Sequence, residues 1–399
     1  MLLASLSQPP VQAPAAKDTM LKLGSRITLL ICALAVFMAL PATGHAKAPR
    51  GFFGVIDFMP PNTLSEPARD DMYGLMQDSG VESVRALVSW ANVETAKGVY
   101  NWTATDRAVG LYATHRLSVL ATVQGTPRWA STRSDRGDYA IYPPRRLSDY
   151  QDFLRTLIAR YGPKGAFWSA NPAIPKRPIR EWQIWNEPSA SYFLNVKNYR
   201  SYYPKMLKAG YKAVKKGDRK AKVVAAGLAS FLQETGKKTY SWSDQAAFYK
   251  RGIRKYFDIA AIHPFNKTTK AYVDALEEHR RVMKRYKDGR KPIYVTEFTF
   301  LGSKGKLRRK ADYFGLEVNA AQQRSRLKAT YKAFANKKSL RVKKAFWYTW
   351  GSAYSPVSCD NGGTDPTFQY AGLLSVACNG NVFTATPLLA AYKSAAKKY

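Results

Sequence analysis

The sequence predicts an α/β fold consisting of a single (β/α)8 barrel, the TIM-barrel architecture. Three observations support this. Eight short apolar or β-branched runs recur along the chain, each followed by a longer segment with apolar residues every three or four positions. After Ala46 no low-complexity linker, repeat or abrupt change of composition interrupts the alternation. Strands that alternate strictly with helices need crossover connections, hence a parallel sheet. A doubly wound open sheet is the rival arrangement, but it commonly has fewer strands, and no Gly-x-Gly-x-x-Gly follows the first run.

The strand runs are, in order, Phe52–Phe58, Val84–Trp90, Ser118–Gln124, Trp182–Asn186, Lys222–Ala226, Ile259–His263, Ile293–Glu297 and Ala345–Trp350. Among the intervening helices, Ser148 and Gln151 read as a capping box ahead of Phe153, Leu154, Leu157, Ile158 and Tyr161. Tyr272, Val273, Leu276, Val282, Met283 and Tyr286 form a stripe of helical period. Thr386-Pro387 starts a last helix with a cap followed by proline. His115 and His279 fall on helices and are expected at the surface.

Length and composition set the remaining bounds. The 399 residues are 46% hydrophobic and 13% aromatic, ample for a large core, which excludes a disordered chain and a disulfide-held mini-fold. Residues 1–46 read as an N-terminal extension and secretory signal. Lys22 and Arg26 precede the uncharged run Ile27–Leu40, and Pro41 to Ala46 ends in small residues suited to cleavage. At 14 residues that run is short of the roughly 18 to 20 a spanning helix needs, which weighs against a retained anchor. Residues 47–399 form the second segment, the barrel itself. The expected localisation is secreted or cell-surface, with no transmembrane segment in the mature chain. In an oxidising compartment Cys359 and Cys378, 19 apart in a Gly/Asn-rich stretch, most simply form a disulfide.

In a barrel of this kind the residues that finish each strand face the functional mouth. Two of them are carboxylates: the fourth run ends in Trp185-Asn186-Glu187-Pro188 and the seventh in Val295-Thr296-Glu297-Phe298. A charge between an apolar run and a Pro or Phe is an unusual place for a merely solvated group. Two such carboxyls across one mouth could work as acid and nucleophile, since burial raises a carboxyl pKa while an arginine-supported setting keeps one ionised.

These residues resemble the retaining glycoside hydrolases of clan A, with family 39 and its cellulase-like relatives the nearest in flavour. The likeness runs from about Phe52 to the C-terminus. It rests on Trp-Asn-Glu-Pro, on the Glu ending the seventh run, and on Val84 to Trp90 with Val93-Glu94, Gly98 to Trp102 and Asp106. Thr126-Pro127-Arg128-Trp129 and Phe346-Trp347-Tyr348-Thr349-Trp350 are also similar. The resemblance implies Glu187 as general acid/base, Glu297 as nucleophile, Asn186 as partner of a sugar 2-hydroxyl and Arg85 as the cation supporting the nucleophile. It implies cleavage of β-linked poly- or oligosaccharide through a covalent glycosyl-enzyme, with no metal and no organic cofactor. One departure stands out: many clan members carry His-x-Tyr at the end of the sixth strand, where this chain reads His263-Pro264-Phe265. His263 lines the site or is a satisfied barrel histidine.

Trp129 and Trp350 are the candidate sugar platforms, against the alternative that they belong to the core. The formal net charge of +35 favours polyanionic surroundings. The basic groups Lys215 to Lys220, Lys304 to Lys310 and Lys337 to Lys344 suggest electrostatic association with an anionic envelope. An export signal without a nucleic-acid-binding motif argues against nucleic acid. A barrel that has lost catalysis and only binds carbohydrate at the cell surface is the alternative function.

Overall fold

The structure, a computed structural model, describes residues 47–58, 64–229, 231–232, 238–306, 316–351, 368, 370–376 and 383–399. The signal segment, Cys359, Cys378 and residues 307–310 of the second basic group lie outside the described residues. Eight βα units follow one another. The strands are β1 Phe53–Asp57, β2 Ser83–Ser89, β3 Ser118–Gln124, β4 Glu181–Ile184, β5 Lys222–Val224, β6 Ala260–His263, β7 Ile293–Phe298 and β8 Val342–Trp347. The helices that follow each strand are α1 Glu66–Asp78, α2 Thr103–Thr114, α3 Leu147–Tyr161, α4 Tyr199–Gly217, α5 Ser241–Lys250, α6 Thr269–Arg285, α7 Ala320–Asn336 and α8 Pro387–Lys398.

Every pairing in the main sheet is parallel, in the order β5-β4-β3-β2-β1-β8-β7-β6, and β1 lies between β2 and β8. The circle closes through the fifth strand. Val224 bridges Ile259, Ala225 N–H donates to the Ile259 carbonyl at 3.0 Å, and Leu228-Ala229 pairs with Ile262-His263. The sheet is therefore the expected barrel.

Side chains alternate along each strand and divide the interior into layers. Val84, Ala86 and Val88 of β2 point outward and join the large shell packed under the helices, together with Phe153, Leu157, Leu207, Leu276 and Tyr331. Ile56, Leu120, Val224, Ala261, Tyr294 and Phe346 point inward and fill the middle of the barrel. The floor is polar. Lys344 Nζ lies 2.8 Å from one Glu181 oxygen, and Tyr294 donates to the other at 2.9 Å. At the top the inward positions are Arg85, Thr122 and Gln183, so the site begins where the apolar layer ends.

Several expectations need correction. α3 starts at Leu147 with Arg146 as its cap; Ser148 lies inside the helix, and Gln151 donates instead to the Ala209 carbonyl of α4 at 3.0 Å. Interhelical packing has claimed the side chain that a capping box would use. His279 is fully buried, between Ser241 Oγ at 2.8 Å and Gln245 Oε1 at 3.0 Å, and burial pushes its pKa down to about 3. It joins α5 to α6 as a neutral ring. His115 is half-buried and pairs with Asp70 at 2.8 Å. The basic groups Lys215, Lys216, Arg219 and Lys220 precede β5, and Lys337, Lys338 and Arg341 precede β8, on the side opposite the mouth. Among the described residues no helix is long and apolar enough to cross a membrane.

Candidate active site

The mouth of the barrel holds a cavity of about 630 Å³. Arg85, Thr122, Gln124, Asn186, Glu187 and Glu297 line it, among Ile56, Phe58, Leu87, Tyr348 and aromatic residues of the loops. Residues spaced two apart reach it from successive strands: Ile56 and Phe58, Arg85 and Leu87, Thr122 and Gln124. That spacing is the pleat of strands facing inward.

Local backbone irregularity aims both carboxylates. After β4 the chain takes left-handed conformations at Trp185 (φ 69°) and Glu187 (φ 34°), a region that side-chain-bearing residues avoid. Packing and hydrogen bonds hold it there. Trp185 is fully buried, its indole N–H donates to the Phe193 carbonyl at 3.0 Å, and Glu187 N–H donates to the Gly227 carbonyl at 3.2 Å. The register between β7 and β8 shifts between Val295 and Phe298, a bulge at Thr296-Glu297 of the kind that re-aims a side chain.

The Glu187, His263 and Glu297 ligand atoms all lie within 4.8 Å of one another. Arg85 organises the rest: Nη1 donates to Glu297 Oε1, Nη2 to Asn186 Oδ1 and Nε to Gln183 Oε1, each at 2.8 Å. Gln183 is fixed in turn by Thr122 Oγ1 at 2.8 Å and by its own donation to the Ala225 carbonyl at 3.0 Å. Because Asn186 Oδ1 accepts from Arg85, its amide nitrogen, a pure donor, is the atom left for a substrate hydroxyl.

Electrostatics separate the two carboxyls. Burial pushes Glu187 well above the ordinary carboxyl range and the Glu297 charge adds to this, with the more distant Arg85 opposing. Burial also raises Glu297, but there the Arg85 charge and its direct hydrogen bond pull the pKa back. The proton therefore resides on Glu187 and the charge on Glu297. His263 is held well below its usual pKa by burial and Arg85, so the ring is neutral. Its Nδ1 lies 2.5 Å from Glu187 Oε1. For Glu187 to serve as an acid its proton sits on Oε2, so Oε1 accepts from the ring's Nδ1–H, and the unprotonated Nε2 lies 3.7 Å from Glu297 Oε1.

A carboxylate pair with a histidine also has the donor types of a metal site. Here the Arg85 guanidinium already occupies the Glu297 oxygen, and a second cation beside it would be repelled.

Of the residues singled out from the sequence, Arg85, Asn186, Glu187 and Glu297 come together in the cavity. His263 lies beneath the carboxylates, 1% exposed, and contacts Glu187 rather than the open space. Trp350 is 1% exposed and part of the core, so the platform expected of it is corrected: a ring so enclosed offers no face to a sugar. Trp129 is half-buried outside the cavity, its indole N–H donating to the Glu94 carbonyl at 3.1 Å and its ring packed against Trp90. Asp57, though at a strand end, turns outward to accept from Tyr73 and Tyr112 at 2.6 and 2.7 Å. Sequence reasoning missed the aromatic residues Tyr192, Phe193, Tyr240 and Phe265 of the loops, and Trp242 at the start of α5, that line the cavity. No periodicity marks them. Gln183 did carry a signal, as a polar residue at an inward position of a buried strand.

Gly227 is the contact on which His263 rests. A Cβ added there would lie 2.0 Å from His263 Nε2. Gly227→Ala is expected to push the ring off Glu187, costing about 1–3 kcal/mol in overpacking. Thermal melting checks this; a variant of unchanged stability would refute the contact.

No family model matches the chain, and neither does any curated protein sequence. Solved structures do match. A glucosidase from Croceicoccus marinus is 13% identical with a TM-score of 0.59, the match covering 88% of this chain and 69% of that one. A family 39 glycoside hydrolase from the gut symbiont Bacteroides cellulosilyticus WH2 is 15% identical with a TM-score of 0.60, covering 88% and 64%. A monomeric β-xylosidase from Caulobacter crescentus CB15 is 17% identical with a TM-score of 0.58, covering 88% and 69%. At such identities the likeness is one of fold, and it is the barrel of these glycosidases that this chain shares.

Proposed function

We propose that the chain is a retaining glycoside hydrolase acting on β-linked poly- or oligosaccharide, with Glu297 as nucleophile and Glu187 as acid/base. The observation that carries this reading is that an oxygen of each carboxyl lies within 4.8 Å of one on the other, in one cavity. A retaining mechanism needs about 5 to 5.5 Å, whereas an inverting one needs roughly 6.5 to 9.5 Å to admit a water.

The steps follow from the charges. A Glu297 oxygen attacks the anomeric carbon as its bond to the leaving oxygen breaks, and Glu187 delivers its proton to that oxygen. The product is a glycosyl ester on Glu297 and an ionised Glu187. Loss of the Glu297 charge removes one of the two influences that raise the Glu187 pKa, which suits Glu187 to its second task. Glu187 then takes a proton from water, whose oxygen attacks the anomeric carbon and releases Glu297. Arg85 holds the nucleophile ionised, and the Asn186 amide is placed to donate to the adjacent sugar hydroxyl. The reading extends to export of the chain, to a Cys359–Cys378 disulfide, and to an attachment to an anionic envelope that rising salt should release.

The direct test is trapping. Incubation with dinitrophenyl 2-deoxy-2-fluoro glycosides of xylose, glucose and mannose should leave a stable adduct on the peptide containing Glu297, read by mass spectrometry. An adduct on another residue, or inverted product stereochemistry by NMR, would overturn the assignment.

A further inference from the structure

The general acid must reach the leaving oxygen, so the departing part of a substrate lies on the Glu187 side, over the loops that follow β4, β5 and β6. That side is built unlike the rest of the rim. Among the described residues only three large hydrophobic side chains are exposed, Val99, Tyr192 and Tyr240, and two of these line the cavity on this side. Tyr192 is 58% exposed and Tyr240 41%. Tyr240 stacks on Trp242 with centroids 4.6 Å apart and planes 25° from parallel, a two-ring slab at the start of α5. Exposed aromatic surface of this kind is retained where something covers it.

The cavity does not end at that slab. A second groove of about 450 Å³ lies along α6 and shares Trp242, Asn266 and Ala275 with the first. Its far wall carries Asp274, Glu277, Glu278 and Arg281, a polar shelf. The charges there are already paired, Asp274 with Lys270 at 2.8 Å, Glu277 with Lys337 and Glu278 with Arg281 at 2.5 Å, so the shelf offers hydrogen bonds without a strong net field. Aromatic faces near the scissile position, followed by a polar strip, match a neutral sugar chain, whose rings have apolar faces and hydroxyl edges.

We propose that the leaving-group side of the site is an open groove that takes at least two further sugar units of an oligosaccharide, running from Glu187 past Tyr192, Tyr240 and Trp242 onto α6. This rests on the glycosidase reading above. The groove binds remote sugars of the leaving group, and that binding energy is realised in kcat/KM for long substrates alone.

The test compares xylo-, cello- and mannohexaose, labelled at the reducing end, with the fluorides of the same sugars, whose leaving group cannot fill the groove. Expected are labelled products of two or more units. In Tyr240→Ala and Tyr192→Ala, both at exposed positions, the loss of kcat/KM on the hexaose should exceed the loss on the fluoride by tenfold or more. Hydrolysis that releases single labelled sugars, or equal losses on both substrates, would overturn the groove and leave the glycosidase reading intact. Were the wild type inert on every substrate, hexaose binding followed by tryptophan fluorescence decides: affinity weakened tenfold in Tyr240→Ala keeps the groove while hydrolysis falls, and unaltered affinity removes both.

Discussion

Replacing Glu187 by Gln is expected to lower kcat/KM on an unactivated oligosaccharide by about 10²–10⁴-fold, while a dinitrophenyl glycoside of the same sugar loses far less in its first step. The difference comes from the leaving oxygen. A dinitrophenolate departs without a proton, so the amide can stand in for the acid; a sugar alkoxide cannot. Deglycosylation still needs a base, so the activated substrate should show a rapid burst of dinitrophenolate followed by a slow steady rate. Azide, which attacks without general-base help, should restore the steady rate. Glu297→Gln should lose turnover on both substrates alike, without a burst. Equal losses on both substrates in Glu187→Gln would contradict the acid assignment.

The second large effect concerns Arg85. Its guanidinium is buried and donates to Glu297, Asn186 and Gln183, each at 2.8 Å. Arg85→Met leaves the Glu297 charge buried without its cation, a loss of about 3–5 kcal/mol for breaking such a pair from one side. Because Arg85 lowers the Glu297 pKa, its removal raises it, and the nucleophile then needs a higher pH to ionise. The acid limb of kcat/KM against pH should therefore move upward, and denaturant titration at neutral pH should show the lost stability. An acid limb that stays in place would mean that Arg85 does not hold Glu297 ionised. Because the folded-state pKa of Glu297 is raised overall by burial, ionisation there costs stability as pH rises above the unfolded carboxyl pKa, more so in the variant.

How much of this was legible in the chain follows from which forces write themselves into a sequence. All eight strands were readable because each is a buried apolar run between turn signals, and Ser118–Gln124 matches to the residue. Glu187 and Glu297 were legible as charges at strand ends, and Arg85 only through the family resemblance of the second run. His279 was misread because a buried polar ring looks, in one dimension, like a solvated one; its partners Ser241 and Gln245 come from another helix. Trp350 was misread for the opposite reason. Its place after an apolar run suited either a core ring or a platform, and the packing around it, not its position, decides. Tyr192, Tyr240 and Trp242 gave no signal, because what makes them matter is the direction in which the loops, and the first turn of α5, are folded over the mouth.

The left-handed turns at Trp185 and Glu187 carry a consequence for how this chain tolerates change. Conformational energy held at a working residue is subtracted from the folding equilibrium, so a sequence drifting under pressure for heat resistance alone would find relief at residue 187 by exchange to glycine. A long side chain in so unfavourable a backbone lowers durability, and a glycine at residue 187 would recover it while removing the carboxyl.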